Sequence, residues 1–325
     1  MFSKFIKGAA VALSLAGLVA APASAQKFPD RPITLIVPWA AGGGTDTVAR
    51  IFAALFEKEI GQPVNVVNRT GGGGVVGHSA IQTATPDGYT IGFGTSEIAY
   101  FKTLGLADIT PDSFDLISRV STLPAGLTVK VDGPYKTAAD VVVAMKAQPK
   151  GTLSSSGSGQ GGPWHMAIAG LAKAAGLPAD TVKWVPSQGG APALNDLAAG
   201  GLSMVTASPV EAKALSDAGK VKILAVMDSQ RLSSNPDVPT IKEATGLDWQ
   251  LVNWFSLIAP KGIPADIRAR IVSAAEATHK SEEFQSRLKE RGINPVWDGS
   301  EGFKAFAASF SKTAADLLKD LGLAK

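Results

Sequence analysis

The residues of this chain that could do chemistry are few, and they sit in loops rather than in clusters of acids and bases. There are three histidines, His78, His165 and His279, and no cysteine. Zero Cys excludes a disulfide framework, a thiolate metal site, an iron–sulfur centre and a thiol nucleophile together. No His/Asp/Glu spacing suits a metal. Ser158 stands near His165, but on the same loop and helix start, which is poor geometry for a nucleophile and its base; no G-x-S-x-G elbow is present. His165 reads either as a ligand donor or as a packing residue at a helix start. His279, late on an amphipathic helix, reads as solvated.

What the sequence repeats is a backbone device: a short strand, a loop of Gly, Ser, Thr or Ala, then a helix start. It occurs near residues 38–46, 68–77, 94–98, 156–165, 186–192 and 207–210. A helix N-terminus presents free N–H groups and a partial positive charge, and glycine lets a ligand approach that backbone closely. Several such ends at the carboxyl edge of a parallel sheet form an anion site that needs no cationic side chain. Two of the loops, Gly72-x-Gly74-x-x-Gly77 and Gly157-x-Gly159-x-x-Gly162, satisfy the dinucleotide pattern. Neither is followed about 20 residues on by an acid ending a second strand. No phosphate-binding G-x-x-x-x-G-K-[ST] motif exists. Trp39, between a strand end and a glycine run, reads as a core aromatic or as a pocket wall. Asp46 reads as a helix cap or a ligand contact, with Thr45 as the other cap candidate. Arg50 and Arg69, near the loops, read by default as solvated.

The elements that must position these loops follow from the hydrophobic pattern. Residues 33–37, 63–67 and 89–93 read as strands, with helices after the first two. In the first helix Val48, Ile51, Phe52, Leu55, Phe56 and Ile60 recur at helical spacing. A second series has strands at 126–131, 153–155, 182–185, 203–207 and 221–226, with helices at 138–147, 163–175 and 191–199 and another opening at Ser208-Pro209. An extended apolar segment at 254–260 and two amphipathic helices, on Ile267–Thr278 and Phe303–Leu318, close the chain. Strands alternating with helices predict a mostly parallel sheet and an α/β fold.

Composition supports a compact exported protein. The 325 residues are 45% hydrophobic and 18% charged, with 35 Gly, so disorder is excluded. The net charge of +3 is too small for a nucleic-acid footprint. Residues 1–25 read as a cleaved signal peptide: Lys4 and Lys7, an apolar run of 13 residues over 8–20, then Ala23-Ser24-Ala25. That run is short of the ~20 residues of a membrane span. Removing it leaves 300 residues with a formal charge of +1, since two lysines leave with it. The expected location is the periplasm of a Gram-negative bacterium.

Stretches along almost the whole mature chain resemble a known family. They are Phe28-Pro29-x-Arg31-Pro32-Ile33, Pro38-Trp39-Ala40-Ala41-Gly42-Gly43-Gly44-Thr45-Asp46, Pro86-Asp87-Gly88-Tyr89-Thr90, Gln188-Gly189-Gly190-Ala191-Pro192-Ala193, Asp237-Val238-Pro239-Thr240 with Glu243, and Ala259-Pro260-Lys261-Gly262-Ile263-Pro264. In order and spacing they are similar to the substrate-binding proteins of tripartite tricarboxylate transporters, the TctC or Bug-type receptors. The resemblance implies a type II periplasmic binding fold, with two α/β domains around a central cleft. Domain one is expected at 26–123 plus 254–325 and domain two at 124–253, with crossing segments near 117–130 and 250–258. It implies a monomeric receptor without cofactor, metal or catalytic activity, which holds a small carboxylate and hands it to integral-membrane transporter subunits. A di- or tricarboxylate, an acidic amino acid and an aromatic carboxylate are all open as ligand. The resemblance assigns ligand contacts to Trp39, Ala40, Ala41, Gly43, Thr45, Asp46, Thr95 and Ser96 from domain one. From domain two it assigns Ser156, Gly157, Ser158, His165, Gly189, Gly190, Ala191 and Ser208. Many relatives carry Val-Pro-Tyr-[Lys/Arg]-Gly where this chain has Val185-Pro186-Ser187-Gln188-Gly189, so a tyrosine and a basic residue are replaced here. Supply of a sensor, or an exported α/β hydrolase, are the competing readings.

Overall fold

The structure, a computed structural model, describes residues 28–187 and 189–325. The signal peptide expected at 1–25 lies outside the described residues. From the start, β1 (Ile33–Val37), α1 (Gly44–Ile60), β2 (Val64–Asn68), α2 (Val75–Gln82) and β3 (Thr90–Thr95) alternate. Then β4 (Phe114–Pro124) runs almost directly into β5 (Gly126–Lys130). The middle of the chain is α3 (Ala138–Ala147), β6 (Ser154–Ser156), α4 (Pro163–Ala174), β7 (Lys183–Trp184), α5 (Gly190–Ala199), β8 (Met204–Val205), α6 (Pro209–Asp217) and β9 (Val221–Val226). It closes with α7 (Ile241–Thr245), β10 (Val252–Pro260), α8 (Ala265–Lys280), α9 (Glu282–Lys289), β11 (Asn294–Asp298) and α10 (Ser300–Asp320).

The strands form two sheets, β11-β4-β10-β3-β1-β2 and β7-β6-β8-β5-β9. The fold is α/β, as expected, but the sheets are mixed and not mostly parallel. Among the strands of the described residues, only β2-β1-β3 and β7-β6-β8 pair in parallel. Strands β4, β5, β9, β10 and β11 pair antiparallel with their neighbours. The physical reason is the route of the chain. One extended run, β4 and β5 joined through Ala125, serves both sheets, and β10 brings the chain back to lie between β3 and β4.

The two crossings are tied together by backbone. The Ala125 N–H donates to the Leu251 carbonyl (3.0 Å), the Leu251 N–H to that of Met227 (3.0 Å), and the Met227 N–H to that of Ala125 (2.8 Å).

Each sheet is buried by helices. On α1 the stripe Val48, Phe52, Leu55, Phe56 and Ile60 is buried, and Phe52 meets Phe56 and Phe284 of α9 at 5.3 and 5.9 Å between ring centroids. On β10, Trp254 is enclosed edge-on by Phe303, Phe306 and Phe310 of α10. His279 is a correction. It is 6% exposed rather than solvated, because the short α9 and the strand β11 after it set Phe284 and Trp297 against the imidazole. Burial lowers its pKa, against the opposing carbonyls of Val120 and Val296.

Candidate functional site

The carboxyl ends of the parallel strands in both sheets open into one cavity of about 330 Å³. Trp39, Gly73, Glu97, Tyr100, Phe101, Leu104 and Leu106 line it from the side of the first sheet. Ser158, Gly159, Gln160, Gly162, Pro163, Ser187 and Gly189 line it from the second. A larger cavity of about 480 Å³ lies under α10, but none of the Gly/Ser loops reaches it. The loops entering α1, α2, α4 and α5 therefore share the smaller one.

Helices α1, α4 and α5 each start on a glycine, at Gly43, Gly162 and Gly189, with no side-chain cap. Their first N–H groups have no intrahelical acceptor, except that Pro163 lacks one altogether. In contrast, Thr137, Ser208, Thr240 and Ser281 cap α3, α6, α7 and α9 with their hydroxyls. Helices α8 and α10 are also uncapped, so an open N-terminus alone does not mark the site. Convergence on one cavity does.

On the first side a hydrogen-bonded chain sets the wall. The Trp39 indole N–H donates to Thr95 Oγ1 (3.2 Å), and the Thr95 N–H donates to His78 Nε2 (3.3 Å). That acceptor role leaves the His78 proton on Nδ1, which donates to the Gly74 carbonyl (2.8 Å). Full burial lowers the His78 pKa to about 4, against the pull of that carbonyl, so the ring is neutral. Ala40, Ala41 and Gly43 are exposed beside Trp39, and Thr45 is buried in the first turn of α1. The cap position belongs to Gly43, not to Thr45 or Asp46. Asp46 is the third helical residue and reaches back, so that Oδ2 accepts from the Gly42 N–H (2.8 Å) and from Arg50 Nε (2.9 Å). Its Oδ1 accepts from Asn68 Nδ2 (2.8 Å), which also donates to the Trp39 carbonyl (2.8 Å). Burial opposes ionisation of Asp46, yet the bonds from Arg50, Gly42 and Asn68 hold its pKa below the ordinary value. Arg50 is thus half-exposed and paired rather than simply solvated.

The third device, at 94–98, is corrected. No α-helix follows β3, only one 3-10 turn at Ser96–Ala99. Ser96 is buried and donates to Asn253 Oδ1 (2.6 Å) on the returning crossing strand.

On the second side Ser156 is buried and donates to the Val185 carbonyl (2.6 Å). Gly157 has φ +154°, and a Cβ there would lie 2.8 Å from Trp164 Cβ. The Ser158 carbonyl accepts the Ser187 N–H (2.9 Å), which joins the two lining loops. His165 is the packing residue of the two readings. Its Nδ1 accepts the Gly161 N–H (3.0 Å), its ring stacks on Trp184 at 4.6 Å, and burial lowers its pKa to about 4. Ser158 Oγ donates to Gly159 O (3.2 Å), so no Ser–His dyad forms. Gly190 is packed on α6, where a Cβ would meet Glu211 Oε1 at 2.5 Å. Ala191 is exposed, and Ser208 is buried and caps α6.

Of the sixteen sequence candidates, Trp39, Ser158 and Gly189 line the cavity. The others flank the lining residues or hold their loops. Sequence reasoning missed Glu97, Tyr100, Phe101, Leu104 and Leu106, the floor of the first side. The available signal was an acid followed by two aromatics just past the end of a strand. Burial raises the Glu97 pKa, against the hydroxyls of Thr95, Tyr100 and Ser96 nearby. Among the described residues no group of three His, Cys, Asp or Glu side chains is arranged for a metal.

The geometry agrees with known proteins. Residues 48–323 match the Tripartite tricarboxylate transporter family receptor, TctC. A TctC solute binding protein from Polaromonas is 31% identical, superposes with a TM-score of 0.76 and covers 90% of this chain and 99% of its own. MatC from Rhodopseudomonas palustris, solved with bound malate, is 27% identical at a TM-score of 0.73, covering 90% and 100%. A second R. palustris protein, solved with adipate, is 27% identical at 0.79, covering 91% and 99%. The chain belongs to the TctC family of tripartite tricarboxylate transporter receptors, a family of periplasmic binding proteins.

Proposed function

We propose that this protein captures a small carboxylate in the 330 Å³ cavity and, once closed around it, presents it to the membrane subunits of a tripartite tricarboxylate-type transporter. The observation that carries this reading is the joint lining of one cavity by loops from both sheets, several of them entering helices with uncapped N-termini. The malate and adipate bound by two relatives supply the chemical class. The protein acts as a monomeric periplasmic receptor exported by its first 25 residues, and it turns over nothing. The direct ligand contacts are Trp39, Ser158, Gly189 and the N–H groups of the first turns of α1 and α5, with Ala40, Ala41 and Ala191 at the mouth. Asp46, Thr95, Ser96, Ser156, His165 and Ser208 act by holding those loops.

Each hydrogen bond to a carboxylate contributes about 1.5–3 kcal/mol net. Four to six of them, less the cost of association, support micromolar binding at roughly −8 kcal/mol. The two lobes, 26–123 with 254–325 and 124–253, swing about the crossings at 124–126 and 250–253. A ligand held from both sides favours the closed state by its differential affinity. Thermal denaturation against a panel of mono-, di- and tricarboxylates is the test. A dose-dependent rise in Tm with at least one member is expected, lost when Gly189 is replaced by Trp. A Tm that no carboxylate moves, or a rise that Gly189→Trp leaves intact, overturns the reading.

A further inference from the structure

The cavity just assigned to a carboxylate is lined, among the described residues, by a buried acid and no base. Glu97 is 8% exposed, and its Oε2 has no hydrogen-bond partner among the described residues. The Tyr100 hydroxyl, 2% exposed, also makes no hydrogen bond of ordinary geometry, although it and the hydroxyls of Thr95 and Ser96 lie near the Glu97 carboxyl, and both side chains line the cavity. Among the described residues no lysine, arginine or histidine lines it; Phe101, Leu104, Leu106 and Trp39 make the rest of that side apolar. A carboxylate in such surroundings is costly unless a donor meets it. A wholly apolar ligand end would leave both oxygens orphaned. A second ligand carboxylate there would set like charges together in a low dielectric or require Glu97 to keep its proton, whereas an ammonium favours the ionised acid. An N–H-bearing cation satisfies Glu97 and lets the Tyr100 hydroxyl complete the ring of bonds.

Resting on the carboxylate reading above, we propose that Glu97 determines specificity, and that the ligand is an aminocarboxylate. Its carboxylate lies against the helix N-termini, and its ammonium donates to Glu97 across the floor of the cavity. The sequence that builds this end, Ser96-Glu97-Ile98-Ala99-Tyr100-Phe101, follows β3 directly, so the acid sits in a 3-10 turn held at the end of a sheet strand.

Calorimetric titration of wild-type protein, Glu97→Gln and Glu97→Ala with two matched series tests it. One series is hexanoate, adipate, 6-aminohexanoate and 2-aminoadipate; the other is butanoate, glutarate, 4-aminobutanoate and glutamate. In wild type the best amine-bearing member is expected to bind at least tenfold more tightly than the diacid of its series. In Glu97→Ala that ratio falls to about one or below, and in Glu97→Gln, which keeps the shape and guards against misfolding (checked by circular dichroism), it falls at least fivefold. A wild-type preference for the diacid, or an amine preference that survives both substitutions, overturns the assignment of Glu97 while leaving the carboxylate reading intact. If no member of either series binds wild type, the carboxylate reading falls and the aminocarboxylate inference with it.

Discussion

Asp46 shows how one side chain can matter to the site without facing it. Its oxygens are occupied by Gly42, Arg50 and Asn68, and Asn68 in turn holds the Trp39 carbonyl, so the whole 39–46 loop hangs on one carboxylate. Replacing it with Asn keeps the shape but removes the charge from three bonds and turns one of the two accepting oxygens into a donor. Bonds to a charged acceptor contribute about 1.5–3 kcal/mol each, against about 1 for neutral ones, so a loss of roughly 1–3 kcal/mol is expected from urea denaturation. The sign with pH follows from the depressed pKa of the folded carboxyl. The contribution is fully present above the unfolded value of about 3.9 and is lost as pH falls through the folded value below it. The stability gap between wild type and Asp46→Asn is therefore largest at pH 7 and narrows below about pH 4. A gap of equal size at pH 7 and pH 3 would show that the charge does not hold the loop.

At the scale of elements, the loop glycines divide into those that turn the chain and those that let elements touch. Gly77 is of the second kind. A Cβ there would lie 2.4 Å from Pro38 Cα and 2.6 Å from the Arg69 carbonyl, both of them backbone atoms that cannot give way cheaply. Alanine favours a helix over glycine by about 1 kcal/mol, but overpacking costs about 1–3 kcal/mol and here it falls on the joint between α2 and the end of β1. Gly77→Ala is expected to lower the Tm by several degrees and to weaken ligand binding through the displaced Trp39 wall; an unchanged or raised Tm would contradict this. The third glycine of that motif thus packs a helix on a strand, whatever the ligand. Such loops were legible in the sequence because Gly, Ser and Pro at strand ends have local causes. The floor of the site was not. Glu97 to Leu106 form a short turn with no helical period, and they become a surface only when α4 of the other lobe faces them. Strand β11 was hidden by Pro295, and β4 by its irregular mix of Ser118, Arg119, Ser121 and Thr122 with apolar residues. The antiparallel pairings are long-range facts that no local pattern carries.

At the scale of the molecule, the proposed capture of a carboxylate between two sheets needs a joint about which they can move. On the proposed division, the lobes are joined through crossings that are themselves hydrogen-bonded, Ala125 to Leu251 and Met227, with Ala125 fully buried. A hinge there would turn about its own ladder, and it would also have to slide one buried cluster that both lobes share, with Tyr100, Phe101 and Phe303 from the first and Trp164, Met166 and Leu171 from the second. The bond from Ser96 to Asn253 ties the β3 end of the site to the returning crossing, so the proposed movement at the crossings would be felt at the site. The absence of cysteine makes this measurable without background labelling. Val67 on the edge strand β2 and Val143 on α3 are exposed, 37% and 65%, and lie on opposite lobes. Spin labels at Val67→Cys and Val143→Cys are expected to give a broad distance distribution by pulsed electron resonance without ligand. Saturation with a carboxylate that raises the Tm should shift it to shorter distances and narrow it. Asp46→Asn should then need more ligand to reach the same closed distance, because its disordered loop contributes less to closure, whereas the closed distance itself should be unchanged. A distribution that ligand leaves untouched would mean that the cavity is preformed, and that capture does not depend on motion about the crossings.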